Sequence, residues 1–421
     1  MNIKVFPSKV SGIVNVPASK SIVHRALIAG ALSNNYSEIY NVDFNEDILA
    51  TINALTALGA IINVDGNKIS INGFDINKRI DSVKIDAHES GSTLRFLIPL
   101  AAFKATEALF TGTNRLMERP LNVYKDIFEK QNLIFKDNLN EKLIKGKLRA
   151  NNYKVKGDVS SQFISGLLFI LPLLNDDSTI EVIAPFESKS YVDLTIDVLS
   201  KYNIKIENIN NKYFIKGNQD YRSNNITVEG DFSQAAFFVI LAAINNDLVI
   251  NNLNLNSIQG DKSILKILKN LNVKISTKDN SVKVFKSSIS SGVIDLSDNP
   301  DLGPILCILG LFSDGYIKLT NVKRLRLKES DRLLSMKNQL EKIGGEVEIK
   351  ENSIKIYKLK EFVDKEVVVD GCNDHRIVMA MSILATVLRK PLIIKRADAV
   401  NKSYPNFFKD LNRLWVKTKL L

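Results

Sequence analysis

Cysteine is nearly absent from the chain. Only Cys307 and Cys372 occur among 421 residues. Their separation fits neither a disulfide framework nor a zinc-ligand spacing, and Cys307 falls inside an apolar helical run. Long hydrophobic runs are missing too: no uncharged apolar stretch reaches the ~18 residues that a membrane helix needs. The N-terminus, Met1-Asn2-Ile3-Lys4-Val5, has no basic head before an apolar run and reads as a strand. No secretion signal is expected from it, and a cytoplasmic location is the default. Lys and Arg outnumber Asp and Glu by 57 to 46, for a net charge of +11, yet no five basic residues are consecutive. That dispersion leaves a solvated basic surface or small anionic substrates as the readings to weigh against nucleic acid.

What is present is the composition of a folded α/β protein, with 45% hydrophobic and 24% charged residues. The length suits two domains better than one core. The most informative stretch is Pro17-Ala18-Ser19-Lys20-Ser21-Ile22-Val23-His24-Arg25. A strand ends at Val16, Pro17 punctuates it, and Ser19 stands where an N-cap belongs. The helix that follows, through Ala26–Leu32, is almost wholly apolar and is expected to be buried. Lys20, Ser21 and Arg25 in its first turns are costly to bury without a partner. A buried helix that begins with cations, hydroxyls and free N–H groups is a ready anion site.

The chain repeats this device six times, at intervals of roughly 70 residues. The polar helix starts are Ser19-Lys20-Ser21, Ser90-Gly91-Ser92-Thr93, Ser160-Ser161-Gln162, Asp231-Phe232-Ser233-Gln234, Asn299-Pro300-Asp301 and Asn373-Asp374-His375-Arg376. After each apolar helix comes a short strand, a loop, an amphipathic helix with a Gly/Asn-like stop, and an alternating hairpin. The sixth unit lacks room for its hairpin after Trp415, so Lys4–Val16 is expected to supply it and the chain ends should be neighbours. Six such units suggest two domains of three. Ser, Asp and Gly are favoured at helix starts as caps alone. Capping does not account for Lys20, Arg25, Arg95, Gln162, Asp301, His375 and Arg376 all falling within a turn or so of those starts.

A second concentration lies in loops that follow strands: Arg115-Leu116-Met117-Glu118-Arg119-Pro120, Ser188-Lys189-Ser190-Tyr191, Arg324 through Arg332, and Lys402-Ser403-Tyr404-Pro405. Loops at matching positions of stacked units commonly build one binding face. Pro17-Ala18-Ser19-Lys20-Ser21 with Arg25, Ser160-Ser161-Gln162-Phe163, Leu327-Lys328-Glu329-Ser330-Asp331-Arg332, Asp374-His375-Arg376 and Lys402-Ser403-Tyr404-Pro405 occur in order nearly end to end. Together they resemble the signatures of the 5-enolpyruvylshikimate-3-phosphate synthase family, the 3-phosphoshikimate 1-carboxyvinyltransferases.

The resemblance implies the two-domain enolpyruvyl-transferase fold, α/β, with three repeated units per domain and buried helices pointing their N-termini at the interdomain cleft. Residues 1–18 and 229–421 would form a discontinuous domain and 19–228 an inserted one. It implies transfer of the enolpyruvyl group from phosphoenolpyruvate to the 5-hydroxyl of shikimate 3-phosphate, with release of phosphate. No metal or organic cofactor is expected, and a monomer is the family default. Lys20, Gly91, Arg119, Gln162, Arg332, Arg376 and Lys402 would hold phosphoenolpyruvate. Ser21, Arg25, Ser160, Ser161, Gln162, Ser188, Tyr191, Asp301 and Lys328 would hold shikimate 3-phosphate. Addition and elimination need an acid and a base on opposed sides of the intermediate. Asp301 and Glu329 are the carboxylates for this, with Lys20 and Lys402 as proton carriers; Asp301 is assigned to the 5-hydroxyl and Glu329 to the carbon.

Several positions depart from the commoner family pattern: Ala18 where Gly is usual, Glu89-Ser90 before Gly91, Ser92 for Thr, Phe96 after Arg95, Arg324 for Asn, and Leu148-Arg149-Ala150 for Pro-Pro-Leu. None removes a charged group that the reaction needs. The nearest alternative is the sister enzyme acting on a UDP-amino sugar, which carries a reactive Cys in a loop where Cys307 and Cys372 do not fall. An RNA-binding protein of related repeat fold would want Lys and Arg clustered with aromatics, and a non-catalytic homologue would tolerate loss of the charge set that is intact here.

Overall fold

The computed structural model describes all 421 residues, Met1–Leu421. Six four-stranded sheets are built on one plan. In the sheet of the second repeat, Ile80–Asp86 pairs in parallel with Ala105–Thr111, with Ile85 opposite Phe110. The connection between those strands is the buried helix Gly91–Lys104. Ala105–Thr111 then pairs antiparallel with Glu141–Lys145, which closes a hairpin with Ile134–Asp137. The parallel pair needs a crossover long enough to hold a helix, and the hairpin does not, so the order of elements in the sequence dictates this sheet.

The six buried helices are α1 (Lys20–Leu32), α2 (Gly91–Lys104), α3 (Ser161–Ile170), α4 (Phe232–Ile244), α5 (Gly303–Gly310) and α6 (His375–Ala385). They are apolar around their whole circumference and correspondingly buried. Amphipathic helices such as Arg332–Lys342 cover the outside with one apolar stripe. All six of those outer helices end in a residue with positive φ: Gly59, Asn132, Asn203, Asn272, Gly344 and Trp415. This is the left-handed stop for which Gly and Asn are the usual choices.

Two compact units divide the chain. One comprises Met1–Pro17 with Glu229–Leu421, the other Ala18–Val228. Each has its own continuous core. In the first, α4, α5 and α6 pack against one another; in the second, α2 packs along α3.

The sequence reading of the sixth repeat needs correction. A strand does form after Trp415, Thr418–Leu420, and pairs with Ile3–Val5. Ile3–Val5 also pairs with Leu392–Lys395, so one N-terminal strand and one C-terminal strand replace the hairpin. Ile13–Asn15 goes elsewhere, in parallel with Leu248–Asn251 of the fourth repeat. The place beside Tyr36–Tyr40 that it would take by repeat logic is filled by Asn225–Thr227.

Candidate active site

The helix starts show why polar residues stand before apolar helices. Ser90, Ser160, Asp231 and Asp374 accept backbone N–H groups at the heads of α2, α3, α4 and α6. Ser19 does not act this way. It occupies the cap position of α1, but its buried hydroxyl makes no cap bond. Asp301 lies in a 3-10 turn, Pro300–Leu302, directly ahead of α5.

In the Ala18–Val228 unit, Lys20 Nζ meets Asp47 Oδ2 at 2.7 Å. Arg25 is buried, with its cation shared among Thr195 Oγ1 (2.8 Å), the Ser21 carbonyl (2.7 Å) and the Tyr191 carbonyl (2.9 Å). Its guanidinium stacks over Phe96. Burial draws the Arg25 guanidinium down to about 10, still a full cation at neutral pH. His24 beside it is held well below its ordinary value by burial and by Lys20 and Arg25, and so is neutral. Gln162 links two helices: its Oε1 accepts from Arg95 at 2.9 Å and its Nε2 donates to Ser92 at 3.0 Å.

Pro99 inside α2 explains how Arg95 is anchored. Proline lacks the N–H that would bond the carbonyl four residues earlier. That carbonyl, of Arg95, instead accepts from the Tyr124 hydroxyl at 2.6 Å. Gly91 is tightly enclosed: a Cβ there would lie 2.9 Å from Arg119 Nη1 and 3.7 Å from Gln162 Oε1. Only glycine lets the backbone approach the Arg119 head so closely. Ser161 and Ser188 are buried, and Ser188 takes a left-handed conformation ahead of helix Lys189–Lys201. This unit therefore holds Lys20, Ser21, Arg25, Gly91, Arg119, Ser160, Ser161, Gln162, Ser188 and Tyr191.

The other unit holds the carboxylates. Arg332 is 1% exposed and donates to three of them: Asp374 Oδ2 (2.8 Å), Asp301 Oδ1 (2.9 Å) and Glu329 Oε2 (2.7 Å). Asp301 also receives Arg376 Nη2 at 3.1 Å and Lys328 Nζ at 3.3 Å. Burial pushes the Asp301 carboxyl up, but Arg376, Lys328 and Arg332 together hold it well below the carboxylate range. Lys328 is lowered, chiefly by burial and partly by Arg332, against the pull of Asp301. Lys402 donates to the carbonyl of Asn373, at the head of α6. Asp301, Lys328, Glu329, Arg332 and Arg376 thus form one contiguous ionic cluster, with Lys402 tied to the helix start that carries Arg376.

Two further carboxylates belong with this cluster and were not among the expected site residues. Asp374 caps α6 and at once binds Arg332 and Ser330 Oγ. Its motif was visible, but a cap alone explains an Asp there. Asp261 is buried beneath α4 and accepts from Ser233. Burial, and secondarily Asp301, raise it to about 7. Asp47 opposite Lys20 and Arg95 beside Gln162 complete the other set.

Each unit sets cations at its helix starts, and the unit with Arg332 holds Asp301, Glu329 and Asp374 among them. That suits anions that undergo proton transfer. The sequence profile of the family described as EPSP synthase (3-phosphoshikimate 1-carboxyvinyltransferase) matches residues 6–411. The 3-phosphoshikimate 1-carboxyvinyltransferase of Clostridium kluyveri is 45% identical over 98% of this chain and 97% of its own. That of Clostridium perfringens (strain 13) is 42% identical over 97% of each. Among solved structures, EPSP synthase from Acinetobacter baumannii superposes with a TM-score of 0.81 at 22% identity, covering all of both chains. The enolpyruvyl transferase NikO from Streptomyces tendae gives 0.80 at 13% identity, covering 99% of this chain and 98% of its own. These two share the fold.

Proposed function

The chain belongs to the EPSP synthase, or 3-phosphoshikimate 1-carboxyvinyltransferase, family, and from that premise we infer how its two residue sets serve the reaction. The enzyme transfers the enolpyruvyl group of phosphoenolpyruvate to shikimate 3-phosphate in the shikimate pathway. Both substrates carry a phosphate and a carboxylate. Lys20, Arg119, Arg332, Arg376 and Lys402 bind phosphoenolpyruvate, with Gly91 and Gln162 alongside. Ser160, Ser161 and Ser188 take the phosphate of shikimate 3-phosphate, while Ser21, Arg25, Gln162, Tyr191, Asp301 and Lys328 take its ring and carboxylate.

The 5-hydroxyl oxygen bonds to C2 of phosphoenolpyruvate as its proton leaves to Asp301, and the methylene carbon C3 gains a proton from the side of Glu329. Elimination then breaks the C2–O bond to phosphate while C3 returns a proton. Lys20 and Lys402 relay protons and neutralise the departing phosphate. Asp301 is a weak base while Arg376, Lys328 and Arg332 surround it. Substrate anions drawn to those cations offset part of their field and raise its basicity at the moment it is needed. The observation that supports this most is the ring of three cations on one half-buried carboxylate, Asp301.

We place the enzyme in the cytoplasm as a monomer that uses neither nucleic acid nor membrane. No helix is long and apolar enough to cross a membrane. The deciding experiment is phosphate release from phosphoenolpyruvate with shikimate 3-phosphate, run beside UDP-N-acetylglucosamine. Release that requires shikimate 3-phosphate is expected. Release only with the UDP-sugar, or with neither, overturns the assignment.

A further inference from the structure

Within the unit that contains α4, α5 and α6, the opposite ends of those helices also meet. The C-terminal residues Ile244-Asn245 of α4, Phe312-Ser313 just after α5, and Thr386-Val387-Leu388 after α6 line one cavity of about 1120 Å³. The three helices have 8, 11 and 13 residues and run about 12–20 Å, so this cavity lies at the far end of the bundle from Arg376 and Asp301.

The C-terminal carbonyls that would repel an anion there are already satisfied. Ser313 Oγ donates to the Gly310 carbonyl at 2.9 Å and Thr386 Oγ1 to that of Ile383 at 2.8 Å. Buried Asn245 bridges the Ser8 carbonyl, the Val10 N–H and Thr386 Oγ1. Three lysines face the cavity: Lys9, Lys286 and Lys358. None stands within ion-pair distance of a carboxylate, as Lys216 does of Asp177 and Lys323 of Glu351, although the Lys358 charge acts on Asp314. Asp314 is the one carboxylate in the lining, and Ser291 engages it through both its N–H and its hydroxyl, each at 2.6 Å. The apolar part is aromatic: Phe312 and Phe362 lie tilted with centroids 6.4 Å apart.

One helix end in the other unit carries cations of the chain itself. At the end of α2, Arg79 donates to the carbonyls of Ala102, Ala105 and Gly146. Lys104 donates to those of Asp75 and Lys78. Where the end of α2 is occupied by Arg79 and Lys104, the ends of α4, α5 and α6 leave a lysine-rimmed hollow.

We propose that this hollow is a second ligand site, for a small amphipathic anion with a flat apolar body and one carboxylate or sulfonate. The body lies against Phe312, Phe362 and Leu388, and the charge lies among Lys9, Lys286 and Lys358. The test is calorimetric titration of the full-length enzyme with 2-naphthoate, in the presence of saturating shikimate 3-phosphate. Sodium sulfate serves as the charge-only probe. One site with Kd below about 1 mM is expected, weakened at least tenfold by K286E/K358E. The double variant, changed only at exposed side chains, should keep its basal activity and melting temperature. Three results overturn the proposal: no heat at 5 mM naphthoate, equal affinity in K286E/K358E, or sulfate binding as tightly as naphthoate. Loss of naphthoate binding when shikimate 3-phosphate is added would do so as well, because it would place the probe in the active site.

Discussion

Arg332 Nε lies 2.8 Å from Asp374 Oδ2, and both side chains are almost completely removed from solvent. Asp374 is the cap of α6, so one carboxylate fixes both the head of that helix and the guanidinium that spans Asp301 and Glu329. A lysine at 332 would keep the charge but has neither the planar fork nor enough directed donors for three carboxylates. Arg332→Lys should lower turnover at least 100-fold and destabilise the protein by about 3 kcal/mol, as expected for breaking a buried ionic network. Phosphate release and urea unfolding check the two effects separately. A variant that lost neither would remove Arg332 from the network's centre.

Asp301 and Glu329 share Arg332 but have different roles in the proposed chemistry. Asp301→Ala and Glu329→Gln should each reduce turnover by about 100-fold or more, while substrate binding stays measurable by calorimetry. Near-normal turnover in both would sink the acid–base assignment.

Gly91 is shaped by the Arg119 head group 2.9 Å from where a Cβ would stand. Gly91→Ala should push Arg119 away from the position proposed for binding phosphoenolpyruvate. The KM for phosphoenolpyruvate should rise about tenfold, with that for shikimate 3-phosphate changing less. Steady-state kinetics with each substrate varied in turn separates the two, and equal rises in both would point to a general loss of structure.

The repeats and the cationic helix starts were legible in the sequence because they are local. Caps precede apolar helices, and Gly or Asn ends amphipathic ones, within a few residues of chain. Strand partners were legible only in part: the N-terminal strand was expected in the sixth sheet, and Ile3–Val5 does join it beside the C-terminal strand. Ile13–Asn15 beside Leu248–Asn251 is a pairing between distant segments, chosen by which core each strand can join. Asp261 was invisible for a similar reason, since an Asp in a polar loop reads as exposed until Ser233 and the helix starts are folded around it. Ser19 shows the reverse error, where a cap residue in the right place makes no cap.

Asp261 supplies a pH signature. Its carboxyl titrates at about 7 in the folded protein, against an ordinary 3.8, because burial disfavours its charge. Between those values the folded state holds a proton that the unfolded state has lost, so this group's contribution is full below pH 3.8 and is lost as pH rises through about 7. The gap corresponds to at most about 4 kcal/mol. Asp261→Asn keeps an acceptor for Ser233 and cannot ionise. It should be more stable than the parent at pH 8 by about 1–3 kcal/mol, with a smaller difference at pH 5. Urea unfolding at both values tests the sign, and a gain that did not grow with pH would mean that the carboxyl is already ionised at pH 5.

Trp415 closes the last outer helix at φ +70°, in the same corner where its five counterparts are Gly59, Asn132, Asn203, Asn272 and Gly344. A Cβ at positive φ costs about 1 kcal/mol or more, and glycine avoids it. The indole is 75% exposed, so its removal gives up little burial. Trp415→Gly should therefore raise stability by about 0.5–1 kcal/mol. The reciprocal change, Gly344→Ala, should lower it by about 1 kcal/mol, since the added Cβ has room, 3.4 Å from the nearest atom, and only the backbone resists. Both are read from urea midpoints at constant slope. If Trp415→Gly proved destabilising while Gly344→Ala behaved as stated, the indole itself would be holding the C-terminal strand Thr418–Leu420 against Ile3–Val5, and backbone strain would be the smaller of the two effects.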